Sequence, residues 1–348
     1  MARSASARDA TRRQSAAYAS GAVKSRAPGW LFIIANAAWR DSMILPGWLQ
    51  QSSDTASADR ELLIPACMAE TTCRIFGEAH MKKTVLITGA SSGFGLMLAN
   101  HLHQQGFNVI GTSREPEKYA GKVPFKLLRL NINEDGSIEA FADELFRHIR
   151  QLDVLVNNAG YMVTGIAEET PIELGRQQFE TNFWGTVKVT NALLPKFRAQ
   201  KQGQIITVSS IVSLIGPPNL SYYAASKHAV QGFFKSLRFE LNQFNIKVSM
   251  VEPVWFKTNL SQNAVSAGSG SIADYNTYRK QVTAATQKGI DEAEAPDAVI
   301  NTITRLINAS EPKFSNPVGK MTGMILFLQN YAPKMFEGSI LKSVTAAK

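Results

Sequence analysis

The chain has 348 residues, of which 45% are hydrophobic and 19% are charged, and its formal net charge is +9. The basic excess is spread along the sequence, without the arginine stripe or aromatic-interleaved basic patch of a nucleic-acid-binding protein, so no nucleic-acid partner is expected. Both cysteines precede residue 81, which excludes thiol catalysis and disulfides from residues 81–348, a length sufficient for one domain with an ample core.

Residues 1–80 are predicted to be a leader distinct from the rest of the chain. Residues 1–40 hold seven Lys/Arg against one acidic residue and are rich in Ala and Ser, a composition typical of organellar transit peptides. A mis-set start or a disordered extension is the competing and preferred interpretation. We therefore expect a cytoplasmic protein, with an organelle as the alternative. Cys67 and Cys73, separated by five residues and without a His cluster, do not indicate a metal site.

The first predicted unit is a strand, a glycine-rich turn and a helix. Residues 83–87 are a short apolar run typical of a buried parallel strand, and residues 96–102 have apolar positions at helical spacing. The turn between them, residues 88–95, reads TGASSGFG. This arrangement aims backbone N–H groups and a helix N-terminus at a phosphate, although a purely structural turn is the alternative. The candidate binding residues are Gly89, Ser91, Ser92, Gly93, Phe94 and Gly95.

Apolar runs continue to alternate with helical patterns as far as residue 259. Further strands are predicted over residues 108–112, 126–130, 153–156, 204–208 and 247–251. One predicted helix face carries Ile138, Phe141, Leu145 and Ile149, and another carries Phe233, Phe234, Leu237 and Leu241. Such alternation predicts a parallel sheet with helices on both faces and a ligand site at the carboxyl ends of its strands. The glycine turn, residues 157–160, Ser210 and Pro253 each follow a strand and should meet at that edge.

A tyrosine and a lysine four residues apart indicate where catalysis would occur. If the surrounding stretch is helical, Tyr223 and Lys227 share one face. A free phenol has a pKa of about 10, and a neighbouring ammonium favours the phenolate and should lower that pKa. Together with the hydroxyl of Ser210, thirteen residues earlier, this set suits carbonyl–alcohol chemistry. Taken alone, the pair also fits a helix with one buried tyrosine and one solvated lysine.

These motifs together resemble the short-chain dehydrogenase/reductase family, in that family's order and spacing, from residue 81 to the C-terminus. The motifs are TGASSGFG at 88–95, NNAG at 157–160, Asn182, Ser210, and Tyr223 with Lys227. The resemblance implies an α/β fold with a Rossmann-like, doubly wound, mostly parallel seven-stranded sheet, a single domain with a C-terminal helical extension. It also implies a nicotinamide dinucleotide cofactor, a homo-oligomer, and the catalytic set Asn182, Ser210, Tyr223 and Lys227.

The mechanism that the resemblance implies is hydride transfer between the nicotinamide and a carbonyl carbon. Tyr223 would act as general acid in reduction and as general base in oxidation. Ser210 would donate to the carbonyl oxygen, Lys227 would bind the nicotinamide ribose, and Asn182 would hold a water. The branch acting on steroids, retinoids and similar apolar alcohols or ketones is the most similar, in part because of residues 316–320.

NADP(H) is predicted as the preferred cofactor, with NAD(H) as the alternative. Ser113 and Arg114 end the second predicted strand, where an arginine accepts a ribose 2′-phosphate that an acidic residue would repel. Glu115 follows directly, and a surface arginine without a ligand is the other interpretation. The resemblance adds cofactor contacts at Asn131, Ile132, Asn158, Ala159, Gly160, Tyr223, Lys227, Pro253, Val254 and Thr258.

Two of these positions depart from the family's usual pattern. Asn131 stands where an aspartate commonly holds the adenine amino group, so that contact is expected through the asparagine carbonyl. Val254 follows Pro253 where the family usually has glycine. A β-branched residue disfavours positive φ, so this loop is expected to differ in shape.

The C-terminal part is predicted to lie near the substrate pocket. Domain boundaries are expected at 1–80 for the leader, 81–315 for the catalytic domain and 316–348 for the extension. Residues 259–271 have the Ser/Gly/Ala/Asn composition of a mobile loop or lid. An apolar patch at 324–328 and 335–336, flanked by Lys320 and Lys334, fits core packing, the lining of an apolar site, or a membrane-surface helix. It is too short to span a bilayer, which takes about 20 apolar residues, and membrane association is the least favoured of the three.

The predicted function is therefore an NADP(H)-dependent oxidoreductase for an apolar small molecule. It would interconvert a secondary alcohol and a ketone, or a primary alcohol and an aldehyde. A dinucleotide-binding sensor or scaffold with the same fold is the alternative, disfavoured because all four catalytic positions are filled. An epimerase or dehydratase of the extended family is a further alternative, for which the chain is short.

Overall fold

The structure, a computed structural model, describes residues 82–258, 264–266 and 272–345. The predicted leader and both cysteines lie outside these residues, as does most of the predicted lid at 259–271. The predictions made for those segments therefore stay predictions.

Strands and helices alternate through most of the described chain. The strands are β1 (Thr84–Ile87), β2 (Asn108–Ser113), β3 (Lys126–Arg129), β4 (Val154–Asn157), β5 (Val163–Thr164), β6 (Gly203–Val208), β7 (Ile246–Pro253), β8 (Val265–Ser266) and β9 (Ser315–Val318). The α-helices are α1 (Gly93–Gln104), α2 (Asp135–His148), α3 (Ile172–Phe179), α4 (Thr186–Gln200), α5 (Ser221–Asn242), α6 (Asn276–Asp291), α7 (Asp297–Asn308), α8 (Thr322–Tyr331) and α9 (Pro333–Thr345).

Seven strands form one sheet in the order β3-β2-β1-β4-β6-β7-β9, and every neighbouring pair is parallel. This confirms the predicted doubly wound sheet. The strand order reverses between β1 and β4, where Val85 lies opposite Val154. In open α/β sheets a ligand binds in the crevice at the carboxyl ends of the strands that flank such a reversal.

The central strands are buried on both faces, which explains their near-continuous apolar sequences. Leu86 and Leu155 point into one core layer with Phe141 and Phe234, from α2 and α5. The alternate residues point into the opposite layer, which contains Val85, Ile87, Val154, Val156, Leu98 from α1 and Ile303 from α7. Because side chains alternate along a strand, each strand contributes to both layers and holds helices on both faces of the sheet.

The seventh strand, β9, lies across the predicted domain boundary. Asn316 pairs with Val251 of β7, so the sheet continues to Val318 and the boundary at 315/316 falls inside a strand. The helices that follow the sheet are α8 and α9. In the described part of the chain, no helix is long and apolar enough to cross a membrane.

Candidate active site

The glycine turn after β1 adopts a backbone that only glycine accommodates easily. Gly89 and Gly93 have φ values of +65° and +55°, in the left-handed region. At Gly95 the constraint is space, because an added Cβ would lie 2.3 Å from the carbonyl oxygen of Gly89 and 2.5 Å from Nδ2 of Asn158. The turn is therefore packed directly against the turn that follows β4.

Thr88 holds these two turns together. Its Oγ1 accepts hydrogen bonds from the backbone N–H groups of Asn158, at 2.9 Å, and Ala159, at 3.0 Å. The side-chain amide of Asn158 donates in return to the carbonyl oxygens of Thr88, at 2.9 Å, and Gly89, at 3.1 Å. The side chain of Asn158 is thus used to join two segments about 70 residues apart in sequence.

The space above the glycine turn fits a phosphate group. A Cβ built on Gly93 would meet no atom within 4 Å, and α1 begins at that residue. Ser91 and Ser92 donate no side-chain hydrogen bond within the described part of the chain, and Ser92 does not cap α1. Helix N-termini of this kind bind anionic groups through backbone N–H groups and the helix dipole. Phe94 packs edge-on against Phe256 at 6.1 Å.

The carboxyl end of β2 is positively charged. Arg114 is exposed, and Arg129, opposite Ser113 on β3, donates from Nη1 to the carbonyl oxygen of Arg114 at 2.9 Å. The ammonium of Lys118 lies 2.7 Å from the carboxylate of Glu115, and this hydrogen-bonded ion pair lowers the pKa of Glu115. The carboxylate of Glu117 is paired in the same way with the guanidinium of Arg129, so both acidic side chains near Arg114 are already paired. Arg129 was not among the site residues predicted from the sequence, although its position near the end of a predicted strand places it at the ligand-binding edge of the sheet.

The two residues predicted to contact adenine lie after β3. Asn131 accepts a hydrogen bond from the backbone N–H of Asn133 at 3.2 Å and donates to the Glu134 carboxylate at 2.6 Å. Its carbonyl retains a second lone pair for a ligand. Ile132 is buried against Gly185, where an added Cβ would lie 2.9 Å from the isoleucine side chain.

Helix α5 brings Tyr223 and Lys227 to the same edge of the sheet. Both side chains are buried, and Nζ of Lys227 lies 5.8 Å from the centre of the tyrosine ring. The ammonium donates to the carbonyl oxygen of Val208 at 3.1 Å. Gly160 lies close by, because a Cβ on it would be 3.9 Å from Nζ of Lys227 and 3.1 Å from Oδ1 of Asn182. Four predicted site residues from three separate segments thus meet here.

Ser210 completes this group from the end of β6. It interacts through its side chain with the Tyr223 phenol, and its hydroxyl donates a long hydrogen bond of 3.4 Å to the carbonyl oxygen of Pro253. Ser210 therefore lies between Tyr223 and the loop that follows β7. His228, beside Lys227, is exposed and bonds the carbonyl oxygen of Ala224 one turn earlier, away from this group.

Burial, rather than the neighbouring charge, controls the protonation of this pair. Burial raises the pKa of Tyr223 to about 12, and the hydrogen bond with Ser210 offsets only part of that increase. Burial also lowers the pKa of Lys227 to about 8. The prediction that Lys227 lowers the tyrosine pKa is therefore wrong for this structure, because desolvation disfavours the charged form of both groups.

Asn182 occupies a π-helical turn, Glu180–Gly185, between α3 and α4. Its Oδ1 accepts from the backbone N–H of Tyr161 at 3.1 Å, and its Nδ2 donates to the carbonyl oxygen of Tyr161 at 3.0 Å and to Ser226 at 3.2 Å. Ser226 donates in turn to the carbonyl oxygen of Tyr223 at 2.8 Å. Short π-helical turns are frequent at functional sites. Our sequence analysis missed Ser226, for which no motif was available.

The loop after β7 begins with Val254, the position where the family usually has glycine. Val254 is not among the described non-glycine residues with positive φ. Its N–H donates to the carbonyl oxygen of Val318 at 3.0 Å, and its Cγ2 would be 2.2 Å from a Cβ on Gly319, which has φ +115°. The valine is accommodated because glycine stands opposite it. Thr258, half-buried, ends this part of the described chain.

One face of the C-terminal helices lines the site. A buried apolar cluster contains Tyr223 together with Met162, Ile211, Val212, Ile215, Leu220 and Ala224, and Trp255, Ile325, Leu326 and Phe336 pack against it. This side of the predicted apolar patch therefore packs against the cluster that contains Tyr223.

Comparisons with known proteins agree with this geometry. The family described as short chain dehydrogenase matches residues 83–268. The uncharacterized oxidoreductase YusZ of Bacillus subtilis is 37% identical over 275 residues, covering 75% of this chain and 98% of its own length. The 3-ketodihydrosphingosine reductase of Bacteroides thetaiotaomicron is 34% identical over 247 residues, covering 71% of this chain and 91% of its own length. The crystal structure of a short-chain dehydrogenase from Streptomyces avermitilis has a TM-score of 0.65 and 27% identity, covering 77% of this chain and 99% of that one.

Proposed function

The chain belongs to the short-chain dehydrogenase family, whose members oxidise or reduce CH–OH and carbonyl groups with a nicotinamide dinucleotide, and we propose that it uses NADP(H) on an apolar substrate. The reaction interconverts a secondary alcohol and a ketone, or a primary alcohol and an aldehyde. The observation that carries this proposal is the convergence of Tyr223, Ser210 and Lys227 beside the paired turns at the carboxyl ends of β1 and β4.

The bound cofactor supplies or accepts the hydride, and the chain's own residues handle the proton. In reduction the phenol of Tyr223 gives its proton to the carbonyl oxygen as negative charge develops there. The hydroxyl of Ser210 donates a hydrogen bond to the same oxygen. In oxidation the transfer runs in reverse, and Tyr223 must first lose its proton. Lys227, as an ammonium, attracts the anionic cofactor.

The residues around the turns are suited to hold the cofactor. The open space over Gly93, the free hydroxyls of Ser91 and Ser92 and the N-terminus of α1 would bind the pyrophosphate. Gly160 and Lys227 lie where the nicotinamide ribose is proposed to bind, with Pro253, Val254 and Thr258 on the other side. Asn131, Ile132, Asn158 and Ala159 are proposed to complete the adenosine and ribose contacts.

The preference for NADP(H) is supported by charge at the end of β2. The guanidinium of Arg114 lies there, and the two nearby carboxylates are ion-paired with other residues, Glu115 with Lys118 and Glu117 with Arg129. An arginine can bind a phosphate through two charge-assisted hydrogen bonds at once. Its contact with a ribose hydroxyl is weaker.

The proposed apolar substrate is supported by the wall of the site. The side chains beside Tyr223 are aliphatic or aromatic, including Trp255 and Leu326. One of the similar proteins is a reductase of 3-ketodihydrosphingosine, which is a ketone. We extend that substrate class, and not that compound, to this chain.

Replacing Tyr223 by Phe tests the catalytic role directly. We expect turnover to fall by about 10²- to 10⁴-fold, because the proton donor is lost. Dinucleotide affinity, measured by fluorescence titration, should be nearly unchanged. The matched control is Tyr222→Phe, since Tyr222 adjoins Tyr223 but packs against Gly175. Turnover retained by the Tyr223→Phe variant would refute the assignment.

The sensor alternative is tested with the unmodified protein. NADPH oxidation is followed with a panel of apolar and polar ketones and aldehydes. Activity with any member excludes a protein that only binds the dinucleotide. Silence across the whole panel, with dinucleotide binding intact, would favour the sensor.

Replacing Arg114 by Ala tests the cofactor preference. We expect kcat/KM with NADPH to fall about 10- to 100-fold, as for loss of one charge-assisted contact of about 1.5–3 kcal/mol, with little change for NADH. Arg305→Ala is the control, because Arg305 is an exposed residue of α7. Comparable efficiency of the unmodified protein with NADH would contradict the preference.

A further inference from the structure

The exposed large apolar side chains of this protein are concentrated at its C-terminal end. Among the described residues ten such side chains are exposed, and six of them lie between residues 321 and 341. They are Met321, Met324, Phe327, Tyr331, Met335 and Leu341. Phe327 and Tyr331 are 59% and 78% exposed, with their rings 5.3 Å apart. Soluble proteins rarely expose apolar side chains grouped in this way without a partner.

Helix α8 is apolar on two opposite sides. Ile325 and Leu326 pack against the cluster that contains Tyr223, whereas Met324, Phe327 and Tyr331 face outward. Between Thr322 and Tyr331 the helix contains no charged residue. A helix without a polar face is usually buried on both sides. Among the described residues, side chains pack against only one side of α8, so the other side is suited to an apolar environment from outside the described domain.

The charges around this surface indicate what that environment is. Lys320, Lys334 and Lys342 flank the exposed apolar residues, and Glu337 is the acidic residue of this stretch. Lys320 is paired with Glu294, outside the helices, at 3.2 Å. A second copy docking through the same face would set these lysines opposite one another, because a two-fold interface is self-complementary. An anionic surface matches both the apolar residues and their basic border.

We propose that α8 and α9 form a membrane-docking surface that lies on an anionic lipid bilayer and inserts Met324, Phe327 and Tyr331 into its interface. Helix α8 has 10 residues and is about 15 Å long, half of what would cross the hydrocarbon layer, so it lies along the membrane. Tyr331 presents an apolar ring and a polar hydroxyl, as side chains at the membrane interface do. Of the three interpretations of the apolar patch, these observations favour the membrane-surface helix, which the sequence alone favours least.

Docking through this face has a consequence for the substrate. The helix that rests on the lipid is the one whose inner side lines the wall beside Tyr223. An apolar alcohol or ketone dissolved in the bilayer would reach the site without crossing water. This part of the inference rests on the proposed function, whereas docking itself does not.

The test is co-sedimentation of the full chain with lipid vesicles. We expect binding to phosphatidylcholine vesicles that contain phosphatidylglycerol, weaker binding to phosphatidylcholine alone, and loss of binding as salt increases. Phe327→Asp should weaken vesicle binding about tenfold or more. Phe239→Asp is the matched control, because Phe239 is 68% exposed on α5, far along the chain from this surface. Combined Lys334→Gln and Lys342→Gln should weaken binding to the anionic vesicles alone.

Three outcomes would overturn the proposal. The full chain could remain in the supernatant with both vesicle types, or the Phe327→Asp variant could sediment as well as the unmodified protein. The third outcome is that the protein assembles without lipid in analytical ultracentrifugation and that Phe327→Asp dissociates this assembly. That result would show that the face binds a second copy of the chain. Thermal unfolding checks that each variant is folded. Vesicle binding requires no turnover, so an active protein that fails to bind lipid rejects docking alone, and a bound protein without activity rejects the proposed function alone.

Discussion

At the scale of single residues, Tyr223 and Lys227 show how burial sets the chemistry of a site. The same loss of water raises the pKa of the phenol to about 12 and lowers the pKa of the ammonium to about 8. At neutral pH the phenol is therefore protonated, the form that donates in reduction. Lys227 remains mostly charged at neutral pH but loses its charge within a moderately alkaline range.

The pH dependence of cofactor binding should follow Lys227. If the ammonium attracts the anionic cofactor as proposed, the affinity for the cofactor should fall as pH rises through about 8, by at most tenfold per pH unit. Lys227→Arg keeps the positive charge, since arginine is not deprotonated in proteins, so this loss should disappear. Fluorescence titration of NADPH at pH values on both sides of 8 measures it.

The control for this prediction is Lys235→Arg, an exposed lysine of the same helix, which should reproduce the unmodified pH profile. Thermal unfolding shows whether the buried arginine is tolerated. An affinity that stays constant through pH 8 in the unmodified protein would show that the charge of Lys227 does not contribute to binding.

At the scale of structural elements, two turns from distant parts of the chain form one surface. Thr88 and Asn158 exchange hydrogen bonds between the turns, and Gly95 leaves no room for a side chain between them. The position of the first helix, and with it the direction of its N–H groups, depends on this contact. Cofactor binding and stability should therefore be lost together when the contact is disturbed.

Replacing Gly95 by Ala should disturb that contact. The added Cβ would lie 2.3 Å from the carbonyl oxygen of Gly89, so backbone must shift, at a cost of about 1–3 kcal/mol in the free energy of unfolding. NADPH affinity should fall as well. Gly136→Ala, in the first turn of α2, meets no atom within 4 Å and should change stability by less than about 1 kcal/mol. Denaturant unfolding and fluorescence titration measure the two effects. Unchanged values for Gly95→Ala would contradict the packing described here.

At the scale of the whole molecule, Glu252 connects α5 to β9, the last strand of the sheet. Its buried carboxylate accepts hydrogen bonds from Gln231 of α5 at 3.2 Å, Ser315 at 2.9 Å and the backbone N–H of Asn316 at 2.7 Å. Burial raises the pKa of Glu252 from 4.5 to about 6, although these bonds lower it in part. The side chain thus links stability to pH.

The free energy of unfolding should decrease as pH rises, because Glu252 loses its proton. Because the folded pKa exceeds the unfolded value of 4.5, the fold favours the protonated carboxyl, and that advantage is lost as pH rises through about 6. The difference corresponds to about 2 kcal/mol, on the order of magnitude. The glutamine of the Glu252→Gln variant is neutral at every pH. Between pH 4.5 and 7.5 the unmodified protein should therefore lose more unfolding free energy than the variant, by about this amount.

Glu240→Gln, an exposed residue of α5, is the control and should leave the pH profile of stability unchanged. The measurement is denaturant unfolding at each pH. If Glu252→Gln and the unmodified protein lose stability in parallel between these pH values, the carboxyl does not titrate as described.

Much of the central architecture could be predicted from local sequence patterns. The six strands predicted before the C-terminal region are present with ends shifted by at most two residues, because strands buried on both faces need near-continuous apolar runs. Strand β9 has the sequence Ser-Asn-Pro-Val and lacks such a run. It joins the sheet because β7 and the carboxylate of Glu252 bind its backbone, which depends on residues more than 60 positions away.

The sequence by itself determined the family, the positions of the central strands and the parallel, doubly wound arrangement, since these follow from motif spacing and hydrophobic periodicity. Only the tertiary structure decided how far each group is removed from water. That removal reverses the expected shift in the pKa of Tyr223 and gives Glu252 its link to pH, whereas the outer side of α8 stays exposed among the described residues. Burial is a property of all the segments that surround a side chain, so no local pattern contains it.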